Sequence, residues 1–294
     1  MFSIIVPSYN RKEEIPYLLE SLLHQTVYNF EVIIIDDFSE VPVDIHHFYP
    51  FPVNIIRNSE NKGAAESRNI GVRYAKNDWL LFLDDDDRFL VDKCELLEKT
   101  IQSYPEINFI YHPAECMMIN EHFSYFTRPF KNEKEITLEG ILKANKVGGM
   151  PMIAIKKVFF EKLKGLSSDL LSLEDYEFVL KAISDEEFNP KYIDKALTKC
   201  AFHTQRASVS TNTANTERAI ELIRQKYVKT AEQAKYFEFN SLYMLAYPHI
   251  MNLSRRAARF YLKMGWQSKK IKYFIIAFIT FISPKLAINL KRFI

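Results

Sequence analysis

An α/β fold, built on a mostly parallel sheet flanked by helices and extended by a C-terminal helical appendage, is what this 294-residue sequence predicts. Three observations carry that prediction. Four strand-like apolar runs alternate with helix-period segments through the first hundred residues, the pattern of a parallel sheet covered on both faces. Apolar residues make up 48% of the chain, enough for a sizeable core and too many for disorder. From residue 216 onward the pattern is helical to the end.

The elements follow in order. Residues 3–6 form the first apolar run. The helix after it has Ile15, Leu18, Leu19, Leu22 and Leu23 on one face, the spacing of a buried helical stripe. Asn10 is placed to cap this helix, with Glu13 three residues on completing a capping-box-like pair. Residues 31–35 and 53–56 read as the second and third strands, residues 64–75 as a helix, and residues 79–83 as the fourth strand. Beyond it lie a helix near 92–104, a strand near 108–112 and another strand over 150–155, close to the Gly148-Gly149 break. Helical patterns near 157–163 and 175–183 precede an extended segment over 192–202. The small, polar residues 208–216 read as a mobile loop or linker. This divides the chain into residues 1–210, which carry the sheet, and a helical region over 211–294.

Charge is distributed unevenly. Ten of the 39 Lys and Arg residues, and none of the 37 Asp and Glu residues, lie from Arg255 on, leaving the first 254 residues with 29 basic and 37 acidic side chains, a balance of −8. The acidic body has no general attraction for nucleic acid, whereas the basic tail suits an anionic surface. Residues 273–282 of the tail are uncharged and aromatic-rich. As a helix they span about 15 Å, half of a bilayer core. With lysines on both sides, this segment fits a helix lying in the membrane interface; the plain alternative is a buried helix or a dimer contact. Cys94, Cys116 and Cys200 are odd in number and scattered, which suggests neither zinc nor disulfides and suits a reducing cytoplasm. Met1-Phe2 runs straight into the first strand, so no signal peptide is expected.

The most informative local feature is Asp84-Asp85-Asp86-Asp87, directly after the apolar run Trp79 to Leu83. A buried parallel strand delivers such a cluster at its carboxyl end, where open α/β sheets place ligands. Four adjacent carboxylates repel one another and call for a cation or strong donors. Hard oxygen ligands suit Mg²⁺ or Mn²⁺, and these suit a diphosphate. A solvated acidic turn is the plain alternative. Pro7-Ser8-Tyr9-Asn10 and Asp36-Asp37-Phe38-Ser39 end the first and second strands at the same rim. In Asn61-Lys62-Gly63 through Ser67-Arg68-Asn69-Ile70-Gly71, a Gly turn opens a helix bearing Arg68, a setting for phosphate or simply for an exposed ion pair.

Together, the Pro-Ser-Tyr-Asn start, the Asp-Asp-x-Ser strand end, the Asn-Lys-Gly…Ser-Arg-Asn-x-Gly helix and the Phe-Leu-Asp-x-Asp-Asp cluster resemble, in order and spacing, the inverting family 2 glycosyltransferases of the GT-A fold found in bacterial surface-polysaccharide synthesis. The resemblance covers about residues 2–210. It implies a nucleotide-sugar donor, usually UDP-linked, a divalent metal (Mn²⁺ or Mg²⁺) and inversion at the anomeric carbon. Carried over by position, it implies that Pro7, Tyr9, Asp37 and Arg68 surround the base and ribose. It makes Asp84 and Asp86 the outer carboxylates of a DXD motif, with Asp86 the direct metal ligand, and leaves the middle residue, Asp85, either reaching the ribose or pointing away. Leu173-Glu174-Asp175-Tyr176 resembles the family's Glu-Asp pair, with Asp175 as general base and Glu174 orienting an acceptor hydroxyl. The ordinary alternative is an acidic helix start favoured by the helix dipole. His203 stands where the family completes the metal or diphosphate site, with Arg206 near the diphosphate. Gly165-Leu166 departs from the usual Gly-Phe-Asp turn.

The resemblance and the basic tail together imply transfer to a saccharide acceptor, lipid-linked, in O-antigen or capsule synthesis, by a cytoplasmic enzyme peripheral to the inner face of the cell membrane; a homo-oligomer is compatible with the sequence. The rival is a non-catalytic nucleotide-sugar-binding or scaffold protein of the same fold. A dinucleotide-dependent oxidoreductase is disfavoured, because no G-x-G-x-x-G turn follows the first strand.

Overall fold

The computed structural model describes residues 1–206 and 211–290. The central sheet starts from β1 (Phe2–Ser8), pairs it on one side with β2 (Phe30–Asp36) and β3 (Val53–Arg57), and on the other with β4 (Trp79–Phe82), all parallel. The helices that make these crossovers are α1 (Glu14–Leu23) and α2 (Gly63–Tyr74). A short β5 (Arg88–Phe89) and α3 (Lys93–Ser103) lead to β6 (Phe109–Tyr111), β7 (Ala114–Met118), β8 (Phe123–Phe126) and α4 (Leu138–Lys143). β9 (Ile153–Lys156) inserts antiparallel between β4 and β6, followed by α5 (Lys157–Lys162), α6 (Glu174–Ile183), β10 (Pro190–Tyr192) and β11 (Thr198–Phe202). The main sheet therefore runs β10-β6-β9-β4-β1-β2-β3, and a second sheet runs β5-β11-β7-β8. The appendage comprises α7 (Thr213–Tyr227), α8 (Ala231–Met251), α9 (Ala257–Ser268), α10 (Ile271–Ile282) and α11 (Pro284–Asn289).

The two-residue alternation of each central strand fills both faces of the sheet. Ile4, Val6, Val32, Ile34 and Leu81 pack against α1 and α3. Ile5, Ile33, Ile35, Leu80 and Phe82 pack against α2, α5 and α6, and this second core continues into Ile220, Ile223 and Phe237 of α7 and α8. Gly71 permits the closest of these contacts. A Cβ there would stand 2.4 Å from Ile5 Cγ2, so α2 sits down on β1, carrying Arg68 toward the strand ends.

Several local expectations change. Asn10 does not cap α1; it takes a left-handed conformation (φ 53°), and its side chain accepts from the Glu40 N–H at 2.8 Å instead. Glu13 precedes α1 with no side-chain cap bond. The segment 150–155 splits into a 3-10 turn, Met150–Met152, and β9. The extended segment 192–202 belongs to two strands, β10 and β11, in different sheets. Of the loop expected over 208–216, residues 208–210 lie outside the described residues and α7 already begins at Thr213.

Candidate active site

The carboxyl ends of β1, β2 and β4 open onto one cleft of about 890 Å³. Every site residue read from the sequence lines it: Pro7, Tyr9, Asp37 and Arg68, the cluster from Asp84 to Asp86, Glu174 and Asp175, and His203 and Arg206. The cleft extends beyond the sheet-bearing residues 1–210. Tyr243, Met244, Tyr247 and Met251 of α8 form part of its wall.

The acidic cluster resolves by alternation. Asp84 and Asp86 are partly open to the cleft, while Asp85 and Asp87 are buried. Asp85 accepts from Ser8 Oγ at 3.0 Å and from Arg11 at 2.8 Å. Burial pushes its carboxyl up to about 6, with Arg11 opposing and Asp86 adding to the rise. Asp85 is thus held by Ser8 and Arg11 in the floor of the cleft. Asp87 accepts from the Ala201 N–H at 2.9 Å, tying the cluster to β11; burial and then Asp84 push it well above the carboxylate range. Asp86 is also raised by burial, against the pull of Arg11, which donates to it at 2.6 Å, while Arg206 lies 3.7 Å away.

Arg68 lies at the floor of the cleft, largely buried. It is 5% exposed and spans Asp84 at 2.6 Å and Glu174 at 3.0 Å. Those two carboxylates hold its guanidinium charge against burial and raise its already high pKa. Its buried Nε has no partner among the described residues. One side chain from α2 therefore fixes the acidic cluster to the start of α6. Asp37 is committed to the start of α2: its carboxylate accepts from the Lys62 and Gly63 N–H groups, both at 2.8 Å, and from Asn58 at 2.7 Å. Pro7 and the half-exposed Tyr9 form the rim beside it.

Across the cleft, α6 begins with Glu174 and Asp175, after Leu173 in a left-handed conformation (φ 60°). Asp175 Oδ1 accepts from the Tyr176 N–H at 2.7 Å. Its Oδ2 faces Gly149, where a Cβ would stand 2.9 Å away. Enclosure and then the Glu174 carboxylate push Asp175 up to about 7, the range of a general base at neutral pH. The Gly149 turn is braced from behind by Lys93, fully buried, which donates to the Pro151 carbonyl at 2.8 Å and Thr198 Oγ1 at 2.9 Å; burial drives its amine down to about 7.

His203 follows β11 into the cleft. Burial and then Arg206 lower its pKa, with Asp86 opposing, so the imidazole is neutral near pH 7, the form that binds metals. Among the described residues no three His, Cys, Asp or Glu side chains converge as a cation cage. The donors still suit a small hard cation arriving with a diphosphate. Such a cation takes one or two carboxylates plus phosphate oxygens rather than an all-protein cage, and a positive charge would relieve the raised Asp86.

Sequence reasoning missed Arg11, Lys93 and the α8 wall. Arg11 alone had a signal, as a cation next to a strand-end motif facing four carboxylates.

A family model described as Glycosyl transferase family 2 matches residues 3–159. An uncharacterized glycosyltransferase of Haemophilus influenzae is 60% identical over 292 residues, covering 99% of each chain. The Escherichia coli protein WfgD, a UDP-Glc:alpha-D-GlcNAc-diphosphoundecaprenol beta-1,3-glucosyltransferase, is 27% identical over 227 residues, 76% of this chain and 83% of its own. Among solved structures, S. aureus TarS 1-349 in complex with UDP-GlcNAc superposes with a TM-score of 0.59 at 18% identity, covering 94% of this chain and 90% of that one.

Proposed function

The chain belongs to glycosyl transferase family 2, and from that premise we propose that it is an inverting, metal-dependent hexosyltransferase moving a sugar from a UDP-sugar to a lipid-linked saccharide in bacterial O-antigen or capsule synthesis. The observation that carries the reading is the single cleft in which Arg68 joins the acidic cluster to the Glu174-Asp175 helix start. A donor's diphosphate and an acceptor hydroxyl are thereby given facing sites on one rigid connection. The WfgD relative, whose name specifies UDP-Glc and a diphosphoundecaprenol acceptor, supports the donor and acceptor classes.

Asp86, with Asp84 and His203, would hold Mn²⁺ or Mg²⁺. When bound, such a cation supplies Lewis-acid stabilisation of a departing diphosphate. Arg206, at the same end of the cleft, adds a positive charge for the diphosphate. Pro7, Tyr9 and the α2 start organised by Asp37 form the nucleotide end. Asp175 takes the acceptor hydroxyl's proton. Its Oδ1 is fixed by the Tyr176 N–H, which leaves Oδ2 on the cleft side, toward Gly149. Glu174, pinned by Arg68, keeps that carboxyl's proton affinity high until the acceptor arrives. The α8 residues Tyr243, Met244, Tyr247 and Met251 offer an apolar wall for the acceptor's carrier. We assign the transfer machinery to residues 1–210 and acceptor presentation to 211–294, and place the enzyme at the cytoplasmic face of the cell membrane.

The test is a panel of nucleotide sugars followed by UDP release, with chelator and with added cation. Turnover of a UDP-sugar should disappear in EDTA and return with Mn²⁺ or Mg²⁺. Full turnover in chelator would exclude the metal assignment.

A further inference from the structure

The appendage carries an apolar face that the described residues leave uncovered. On α10, Tyr273, Ala277 and Thr280 are buried against the rest of the protein. The opposite side of the helix presents Ile271, Ile275, Phe278 and Ile282, at steps of four, three and four residues and between 51% and 72% exposed, with Phe281 beside them at 64%. Trp266 on α9 continues the face at 72% exposed and packs edge-on against Phe274 of α10. Gly265 permits that join, since a Cβ there would stand 2.9 Å from the Phe274 ring. No described helix is long and apolar enough to cross a bilayer.

Charge selects the occupant. Residues 255–290 contain eight Lys or Arg, all exposed, and no Asp or Glu. Lys269, Lys270 and Lys272 stand at the junction of α9 and α10, next to the apolar stripe. A second copy of the same surface would set these cations against their like, whereas an anionic lipid leaflet offers hydrocarbon for the rings and phosphate for the lysines. We infer that α9–α11 is an interfacial docking surface for an anionic bilayer, seating Trp266, Phe278 and Phe281 at the headgroup boundary. The inference rests on, and deepens, the membrane placement proposed above.

This surface is joined to the cleft. The Tyr243 and Tyr273 hydroxyls are 2.5 Å apart, so the helix that meets lipid on one side holds a cleft-wall residue on the other. Docking would turn the α8 wall toward the plane in which a lipid-linked acceptor is embedded.

The protein carries its own reporter. Of its two tryptophans, Trp79 is buried in the core and Trp266 is exposed. Full-length protein is titrated, without donor or acceptor, with vesicles of equimolar phosphatidylglycerol and phosphatidylcholine, and with phosphatidylcholine alone. The expected result is a blue shift of Trp266 emission and co-sedimentation with the anionic vesicles only, lost in near-molar salt. Joint replacement by Lys269→Glu, Lys270→Glu and Lys272→Glu should weaken partitioning about 100-fold at low salt, and Phe278→Ser with Phe281→Ser about tenfold or more. The inference is overturned if the unmodified protein ignores anionic vesicles. It is also overturned if charge reversal leaves partitioning unchanged, or if Trp266 shifts with protein concentration alone while sedimentation shows a dimer, which would give the face to a second copy. UDP-sugar turnover measured separately on the same protein preparation separates the two readings: its absence with vesicle binding intact counts against transfer and not against docking.

Discussion

Asp175, to which we assign proton transfer, shows how such a carboxyl is prepared. Its ordinary pKa is near 3.8, and enclosure beside Glu174 raises it to about 7. The cost of that preparation has a definite sign. Below about pH 4 the carboxyl is protonated in both folded and unfolded chains, so it contributes nothing. Between about 4 and 7 the unfolded chain releases the proton while the folded chain keeps it, so stability falls as pH rises. Above 7 the full penalty stands. Asp175→Asn removes the ionisation. The variant should unfold with the wild type near pH 4 and be more stable by roughly 1–3 kcal/mol at pH 8, a range discounted for the residue's partial exposure. Urea unfolding at the two pH values checks this; equal stabilities at pH 8 would mean the carboxyl is not raised.

At the scale of elements, the proposed catalytic geometry depends on a turn and a helix that are distant in sequence. The Gly149 turn faces the first turn of α6, and Gly149 has an ordinary backbone conformation (φ −90°, ψ 175°) that alanine also adopts. Gly149→Ala is therefore expected to fold normally. Its methyl would crowd Asp175 Oδ2 and cut kcat by about 10²-fold, the usual effect of misplacing a catalytic group by about 1 Å. Unaltered kcat, with thermal stability unchanged, would show that Oδ2 is not the oxygen that acts. The elements themselves were largely legible, because what defines them is local. The run Trp79 to Phe82 and the Asp cluster behind it are contiguous, and the start of α2 is signalled by Lys62-Gly63. Side chains whose partners lie far off were not legible. Arg11 finds Asp85 and Asp86 more than 70 residues away, and Arg68 finds Glu174 106 residues away. The Asn10 cap failed because a tertiary partner, the Glu40 N–H, took the side chain that local pattern assigned to α1.

The whole molecule is an acidic body with a basic helical appendage, and the two are more closely fused than their compositions imply. Glu177 of α6, buried, accepts from Lys226 at 2.7 Å and from the Tyr227 hydroxyl at 2.5 Å, both on α7. Burial opposes ionisation of Glu177, but these donors, with Lys181 and Ser167, hold its pKa below the usual value. The helix that begins with Glu174 and Asp175 is thus anchored by the appendage, and α8 forms part of the cleft wall. Charge asymmetry along the chain was readable in the sequence, but a shared wall between residues near 84 and near 243 leaves no trace in either segment alone. The central claim is a division of labour across that cleft, with donor and metal held at Asp86 and proton transfer at Asp175. Its most direct test is UDP affinity and UDP-sugar turnover measured together in Mn²⁺ for the wild type, Asp86→Ala and Asp175→Asn. The predicted result is that Asp175→Asn binds UDP like the wild type but turns over about 10² to 10⁴-fold more slowly, while Asp86→Ala loses metal-dependent UDP binding. An Asp175→Asn variant that loses UDP affinity yet keeps its rate at saturation, or an Asp86→Ala variant that binds UDP and turns over normally, would contradict it.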